Sequence, residues 1–453
     1  MQTKSFLKYF TLFLAVLFFY SHPISAQEQS PLDLQTATEL ALQNNHLLKV
    51  KQLQVSEKLG KMKEDKVKYL PVVGIGGSYQ YNTNLPGLTL TQGEFGELPV
   101  GGITIPFPFI DEVIVMGKHN IYNAGVTIYQ PLTQLGKIGE GVNVSIAELQ
   151  ITETEEKMAV CQVKQTVEKL YFGLLILNKQ IEEAGIRVKL AETRLHEVES
   201  ALAAGKIIES NRFGLAASAA SEEQNLLRLK IQSEDLSADF KQITGITTQG
   251  DLDLLPLSPE LLNENSIVID TSFLIYTDKN NDYKIASLRH AKAEHSVRAS
   301  NLSYLPDIGF LGGYTYQEGA EIYPKNNAFV GASLKWNLQD LFLNRSIHSQ
   351  RVSMMQQAEE NMANTKEQVL SNIGKTIRKI SQARELIAVA GKAVNYRKED
   401  LKMKTDRRNA GLNLESELLE AMAEMAKAES DLLSAQLNYR IAITDFNILT
   451  GSY

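Results

Sequence analysis

The stretch "YLPVVGIGGSYQY" occupies Tyr69 to Tyr81, and "YLPDIGFLGGYTY" occupies Tyr304 to Tyr316, 235 positions later. The two share Tyr, Leu, Pro, two Gly and two Tyr at equivalent places. In the first, Val73, Ile75, Gly77, Tyr79 and Tyr81 alternate with Val72, Gly74, Gly76, Ser78 and Gln80. In the second, Ile308, Phe310, Gly312, Tyr314 and Tyr316 alternate with Asp307, Gly309, Leu311, Gly313 and Thr315. One face is apolar and ends in tyrosines. The other is small or polar, Val72 and Leu311 excepted. Alternation over about ten residues, closed by aromatics, is the pattern of a tilted membrane-barrel strand with lipid outside and water inside. An ordinary surface hairpin is the competing reading. Proline disfavours helix in the residue before it, so each Tyr-Leu-Pro marks the break between helix and strand. Partner strands are expected at about Ile121 to Leu132 and Ala328 to Leu338.

The duplication extends beyond these segments. "DFKQITG" (Asp239 to Gly245) matches "DFNILTG" (Asp445 to Gly451), and "AGKIIES" (Ala204 to Ser210) matches "AGLNLES" (Ala410 to Ser416), both 206 positions apart. The shift from 235 to 206 places a longer loop between the two strands of the first half. Each half then reads helix, strand, loop, strand, long helix, turn, helix, and a repeat of this kind sets the architecture. The expected domains are a signal peptide at 1–26, a first repeat at 27–245, a linker at 246–271 and a second repeat at 272–453.

The helices carry unbroken heptads. Val160, Val163, Val167, Leu170, Leu174, Leu177, Ile181, Ala184, Val188, Ala191, Leu195, Val198 and Leu202 alternate spacings of three and four. Leu414, Leu418, Ala421, Met425, Ala428, Leu432, Ala435, Tyr439, Ala442, Phe446 and Leu449 do the same. Stripes of this length mean helices packed lengthwise by knobs into holes. A helix from about Gly139 to Ala204 would extend on the order of 100 Å at ~1.5 Å per residue, too long for a compact globular core. Helices half that length are expected at about Asp33 to Lys68, Ile207 to Thr244, Ser272 to Ser303 and Leu414 to Leu449. Lengths suggest that the second stacks on the third and the fourth on the first, with the turns at Gly205 and Gly411 at one end and the strands at the other.

Lys4 and Lys8, the apolar run from Phe10 to Tyr20 and the small residue Ala26 have the layout of a secretory signal peptide. The run is shorter than the ~20 residues that a spanning helix needs. The only cysteine is Cys161, so neither an internal disulfide nor a lipidated cysteine after the cut is expected. The net charge of -7 comes with no basic stripe, which argues against nucleic acid. Four strands cannot close a membrane barrel, and an open edge cannot sit in lipid. Copies must therefore combine: two give eight strands with a filled interior, three give twelve with a lumen.

With these residues in view, the chain resembles the TolC-type outer-membrane efflux proteins. The carriers are the duplicated order of elements, "LDLQTATELALQNN" (Leu32 to Asn45), the repeated Tyr-Leu-Pro before glycine- and tyrosine-rich strands, and the turns at Ala204 to Ser210 and Ala410 to Ser416. The resemblance implies a mainly α fold with a small β part: a homotrimer whose twelve-stranded barrel sits in outer-membrane lipid above a periplasmic helical tunnel. It also implies helical tips that dock with a periplasmic adaptor, itself linked to an inner-membrane pump. On this reading Gly205, Lys206, Gly411 and Leu412 are the docking tips. The family's pair of acidic residues near the tunnel mouth falls on Glu417 and Glu420, one helical turn apart and so on one face. Three copies would form a six-carboxylate ring, a cation-selective constriction. The family usually has Asp there, the first-half equivalents are Asn211 and Gly214, and a solvated helix face is the plain alternative.

Other candidates are weaker. His290 and His295 are five apart and fall on different helix faces, a poor metal pair. Met422 and Met425 offer thioethers of the kind that suit Cu(I), but Met425 lies on the heptad seam. There is no Gly-x-Ser-x-Gly, Walker loop or zinc spacing, so no catalysis, cofactor or metal is expected. A non-transporting coiled-coil envelope protein and a free-standing porin remain the alternatives to an export channel. The residues leave the cargo open.

Overall fold

The computed structural model describes residues 31–206, 208–247, 252–255, 277–320, 324–412 and 414–452. The expected signal peptide and most of the expected linker lie outside them. The chain is mainly helical with a small β part. It divides into two compact units, neither of which coincides with a repeat. One comprises Met1–Asn45, Val163–Val268 and Lys379–Ala442; the other comprises His46–Gln162, Ile269–Arg378 and Ile443–Tyr453.

The elements run α1 (Leu34–Asn44), α2 (His46–Val67), β1 (Val72–Tyr81), β2 (Gly87–Leu90), β3 (Glu97–Val100), β4 (Ile103–Pro106), β5 (Glu112–Val115), β6 (Asn120–Pro131) and α3 (Gln134–Ala203). They continue with α4 (Glu209–Thr244), α5 (Asn281–Leu302), β7 (Asp307–Glu318), β8 (Asn326–Lys335), α6 (Gln339–Asn409) and α7 (Glu415–Leu449). The first expected helix is two: Asn45 takes an extended conformation (φ -66°, ψ 117°) and separates α1 from α2. The expected long loop between the first two strands is itself a β ribbon, with β2 paired to β5 and β3 paired to β4 across the Gly101-Gly102 turn. No described helix is long and apolar enough to cross a membrane.

Both expected strand pairs form. They join into one antiparallel sheet of order β1-β6-β7-β8, in which β6 of the first repeat pairs with β7 of the second. β1 and β8 are its two open edges.

In the first unit the core gathers Ala37, Ala41, Val163, Val167, Tyr171, Leu174, Phe240 and Leu254. Leu32 and Leu254 form a short parallel bridge. The Tyr171 hydroxyl donates to the Leu32 carbonyl at 3.0 Å and the Leu255 carbonyl at 2.6 Å. Burial, with Asp33 nearby as a lesser cause, pushes that phenol up to about 12. In the second unit Asp65 is buried beside Lys68 and Ser145, and these partners hold its carboxyl below the usual range.

The expected stacking of helix ends is not what forms. In the first unit α4 ends against α1: Asn44 donates to the Thr244 carbonyl at 3.1 Å, and Gly245 packs on Asn44. In the second unit the end of α7 meets the start of α5: Asn280 donates to the Leu449 carbonyl at 2.9 Å, and Gly451 packs on Lys279. Each repeat thus closes on its own first helix segment. An asparagine amide satisfies a carbonyl that the helix end would otherwise orphan, a requirement that helix lengths do not express.

Candidate functional site

The sheet sorts its faces by register. Val73 lies opposite Ile128, Ile75 opposite Val126 and Tyr79 opposite Tyr122. Ile128 continues to Gly312 and Val126 to Tyr314, then Gly312 continues to Val330 and Ile308 faces Leu334. Strand partners share a face, so these side chains form one apolar surface across all four strands. That surface is bare: Ile75 is 84 % exposed, Val330 72 % and Leu334 68 %. Tyr79, Tyr122, Tyr314 and Tyr316 stand on the same face toward one strand end. The opposite face carries Gly76, Gly125, Thr315 and Asn327 in one row and Ser78, Asn123 and Gln317 in another. Apolar on one side and mainly small or polar on the other, with Val72, Tyr129, Leu311 and Phe329 among the exceptions, the sheet fits lipid outside and water inside.

The helical turns form as the glycines predict. Gly205 and Gly411 take φ of 70° and 73°. Lys206 N–H donates to the Ala201 carbonyl at 3.0 Å and Gly205 N–H to that of Leu202 at 2.9 Å. Leu412 and Gly411 repeat the pattern on Arg407 and Arg408, at 2.9 and 2.8 Å. These are paired Schellman caps, and glycine meets their left-handed backbone without a Cβ penalty. Around both glycines the space a Cβ would take is open, and Leu412 is 70 % exposed.

The acidic pair lies just past the second turn. Glu417 and Glu420 are both exposed. They do not share a fate: Glu420 accepts from the Arg194 guanidinium of α3 at 2.9 Å. That pair begins a ladder along α3 and α7. Glu424 lies between Arg187 of α3 at 3.2 Å and Arg397 of α6 at 3.1 Å, and Lys179 meets Glu429 at 3.0 Å. Hydrogen bonds that it donates to Glu182 and then to Glu429 hold the Lys179 ammonium above its ordinary value. Ser416 donates to Glu197 at 3.2 Å, and Arg408 pairs with Glu415.

Arg187, Arg194, Arg397 and Glu424 are absent from the sequence-based site. A signal was present: Arg187 and Arg194 are seven apart and flank the heptad stripe of α3, where charges reach a partner helix. Among the described residues there is no cluster of three or more His, Cys, Asp or Glu able to hold a metal. His295 instead meets Glu140 at 2.6 Å.

Residues 277–452 match the family described as outer membrane efflux protein. No curated protein sequence matches the chain. Its fold is similar to solved structures over most of its length. The CmeC outer membrane channel of Campylobacter jejuni superposes with a TM-score of 0.71 at 15% identity, covering 92% of this chain and 85% of that one. The outer membrane protein VceC of Vibrio cholerae gives 0.69 at 15% identity, covering 92% and 96%. The open state of the MtrE outer membrane channel of Neisseria gonorrhoeae gives 0.68 at 16% identity, covering 92% and 88%.

Proposed function

We propose that this chain, whose residues 277–452 match the outer membrane efflux protein family, is a TolC-type channel with its helices in the periplasm and works as a ring of three copies. In that ring it passes cargo from a periplasmic adaptor and an inner-membrane pump to the outside. The observation that carries the reading is the four-stranded sheet, with one bare apolar face, one mainly small and polar face, and two open edges. Unpaired strand edges are not tolerated in hydrocarbon, so β1 of one copy must pair with β8 of the next. Three copies make twelve strands and leave a lumen, whereas eight strands fill with side chains. CmeC and MtrE, whose folds it shares, are outer membrane channels, and on this reading the chain is a conduit rather than a catalyst.

The tips at Gly205 and Gly411, with Lys206 and Leu412, are the surface offered to the adaptor. Both turns leave the backbone uncovered by side chains, which lets a partner's helix ends approach end-on. Glu417 and Glu420 form the acidic constriction. Glu417 supplies the exposed charge, while Arg194 offsets that of Glu420. Charge rings of this kind select by sign.

Light scattering on protein purified in mild detergent tests the ring. A protein mass of three chains is expected, and a predominantly monomeric or dimeric species would overturn it. Export by cells that lack their own channel tests the rest, since it requires adaptor and pump to engage.

A further inference from the structure

In the first unit, α4 and the part of α6 beyond Lys379 carry heptad stripes that no described residue covers. On α4 the positions are Phe213, Ala217, Ala220, Gln224, Leu227 and Ile231, spaced four, three, four, three and four, and every one is exposed. Phe213 and Leu227 are each 60 % exposed. On α6 they are Leu386, Val389, Ala393, Tyr396, Asp400 and Met403, spaced three, four, three, four and three; all are exposed except the partly buried Asp400. Tyr396 is 76 % exposed and Val389 65 %. A seam of this period exists to meet another helix. The heptads of α3 and α7, buried or half-buried except at Leu414, show what such a seam becomes once it is partnered.

The two stripes fit each other. α4 leaves its turn at Gly205 and α6 enters its turn at Gly411, so the helices run in opposite directions relative to their tips. Counted from those glycines, Phe213 and Met403 are both eight residues away, Ala220 and Tyr396 both fifteen, and Leu227 and Val389 both twenty-two. Gln224 with Ala393, Ile231 with Leu386 and Ala217 with Asp400 match to within one residue. The largest side chain, Tyr396, falls opposite an alanine, as interdigitated packing requires. The flanking charges agree as well: Glu223 falls level with Lys392 and Lys230 with Glu385, each to within one residue. One register therefore satisfies six seam positions and two opposite-charge pairs.

We propose that α4 of one copy and α6 of the next form an antiparallel coiled-coil seam in this register, with Leu227 against Val389 at its centre, and that this seam holds the helical part of the ring. The occupant is a second copy of this chain. A foreign helix has no reason to match both stripes at equal distances from both tips. The inference rests on the reading of the protein as a ring of copies, and it adds which helices meet and where.

Disulfide trapping tests it, in the full-length chain carrying Cys161→Ala. Leu227→Cys and Val389→Cys are placed on separate chains, co-expressed, and oxidised in membranes. A covalent dimer on a non-reducing gel is expected. Leu227→Cys with Met403→Cys, two heptads or about four helical turns off register, should give at least tenfold less. Both changes on one chain should give a covalent trimer. A detergent-stable trimer without the Leu227–Val389 cross-link, or with equal cross-linking off register, overturns the seam and leaves the ring standing. Absence of any trimer removes the ring itself. A second arm reads charge: Glu223→Lys should lower the trimer's thermal stability, and adding Lys392→Glu should restore it. Additive losses in the double variant would contradict the register.

Discussion

Gly205 and Gly411 end helices with the same left-handed backbone as Gly245 and Gly451, with φ between 66° and 74°. Their surroundings differ. A Cβ on Gly205 or Gly411 meets nothing within 4 Å. A Cβ on Gly245 would sit 2.6 Å from that of Asn44, and one on Gly451 would collide with the Lys279 carbonyl oxygen. One backbone device therefore serves two ends. At the joints it lets a helix end close against its own repeat. At the turns it reverses the chain and leaves the result bare. Where glycine is not forced by packing, open space is itself the informative feature, because it leaves room for something outside the chain.

The comparison breaks most visibly at the joints. Gly245→Ala or Gly451→Ala combines left-handed strain of about 1–2 kcal/mol with overpacking of about 1–3 kcal/mol. Either should lower the thermal midpoint markedly by circular dichroism and reduce recovery of the assembled protein. A midpoint indistinguishable from the unsubstituted protein would mean that the joints are slack.

Tyr171→Phe probes the same buried region without touching a glycine. It removes the donor to the Leu32 and Leu255 carbonyls, and an unsatisfied buried acceptor costs about 1–3 kcal/mol. The sign of its titration follows from the phenol's rise to about 12. Its contribution is complete below pH 10 and is lost as pH rises toward 12, so the variant and the parent should converge at strongly alkaline pH. A constant difference across that range would contradict burial of the hydroxyl.

At the turns the expected cost is smaller. Gly205→Ala and Gly411→Ala carry only the backbone strain of about 1–2 kcal/mol, and assembly should survive. Gly411→Val should abolish export while the trimer still forms, because it places a branched side chain on the docking surface. Normal export with Val at both turns would remove the tips from docking.

The smallest effect on stability belongs to the carboxylates. Glu417→Gln with Glu420→Gln should leave assembly unchanged and shift ion selectivity toward neutral in single-channel recordings. Arg194→Gln should move selectivity the other way, toward cations, by releasing the Glu420 charge. Unaltered selectivity in both variants would make this an ordinary solvated helix face.

Much of this molecule was legible because its signals are periodic and repeated. The alternation in Val73 to Tyr81 and Ile308 to Tyr316 became the bare apolar face of the sheet, and the long heptads became α3 and α7. The glycines of the "AG…ES" turns gave the reversals. What escaped had no period. The break at Asn45 and the pairing of helix ends depend on single asparagine amides reaching carbonyls 200 and 169 residues away. The ribbon within Asn82 to His119 depends on pairing between segments of four residues, too short to alternate convincingly. The sequence puts Glu417 and Glu420 on one helix face, but the partner of Glu420, Arg194, lies 226 residues away, and only the packed helices bring the two together.

The central claim is that this chain builds a water-filled, outer-membrane conduit, and planar bilayer recording tests it most directly. Purified protein added to a bilayer should give stepwise conductance that favours cations and falls when a polyvalent cation is added on the periplasmic side. Correctly assembled protein that inserts yet passes no current would contradict the account.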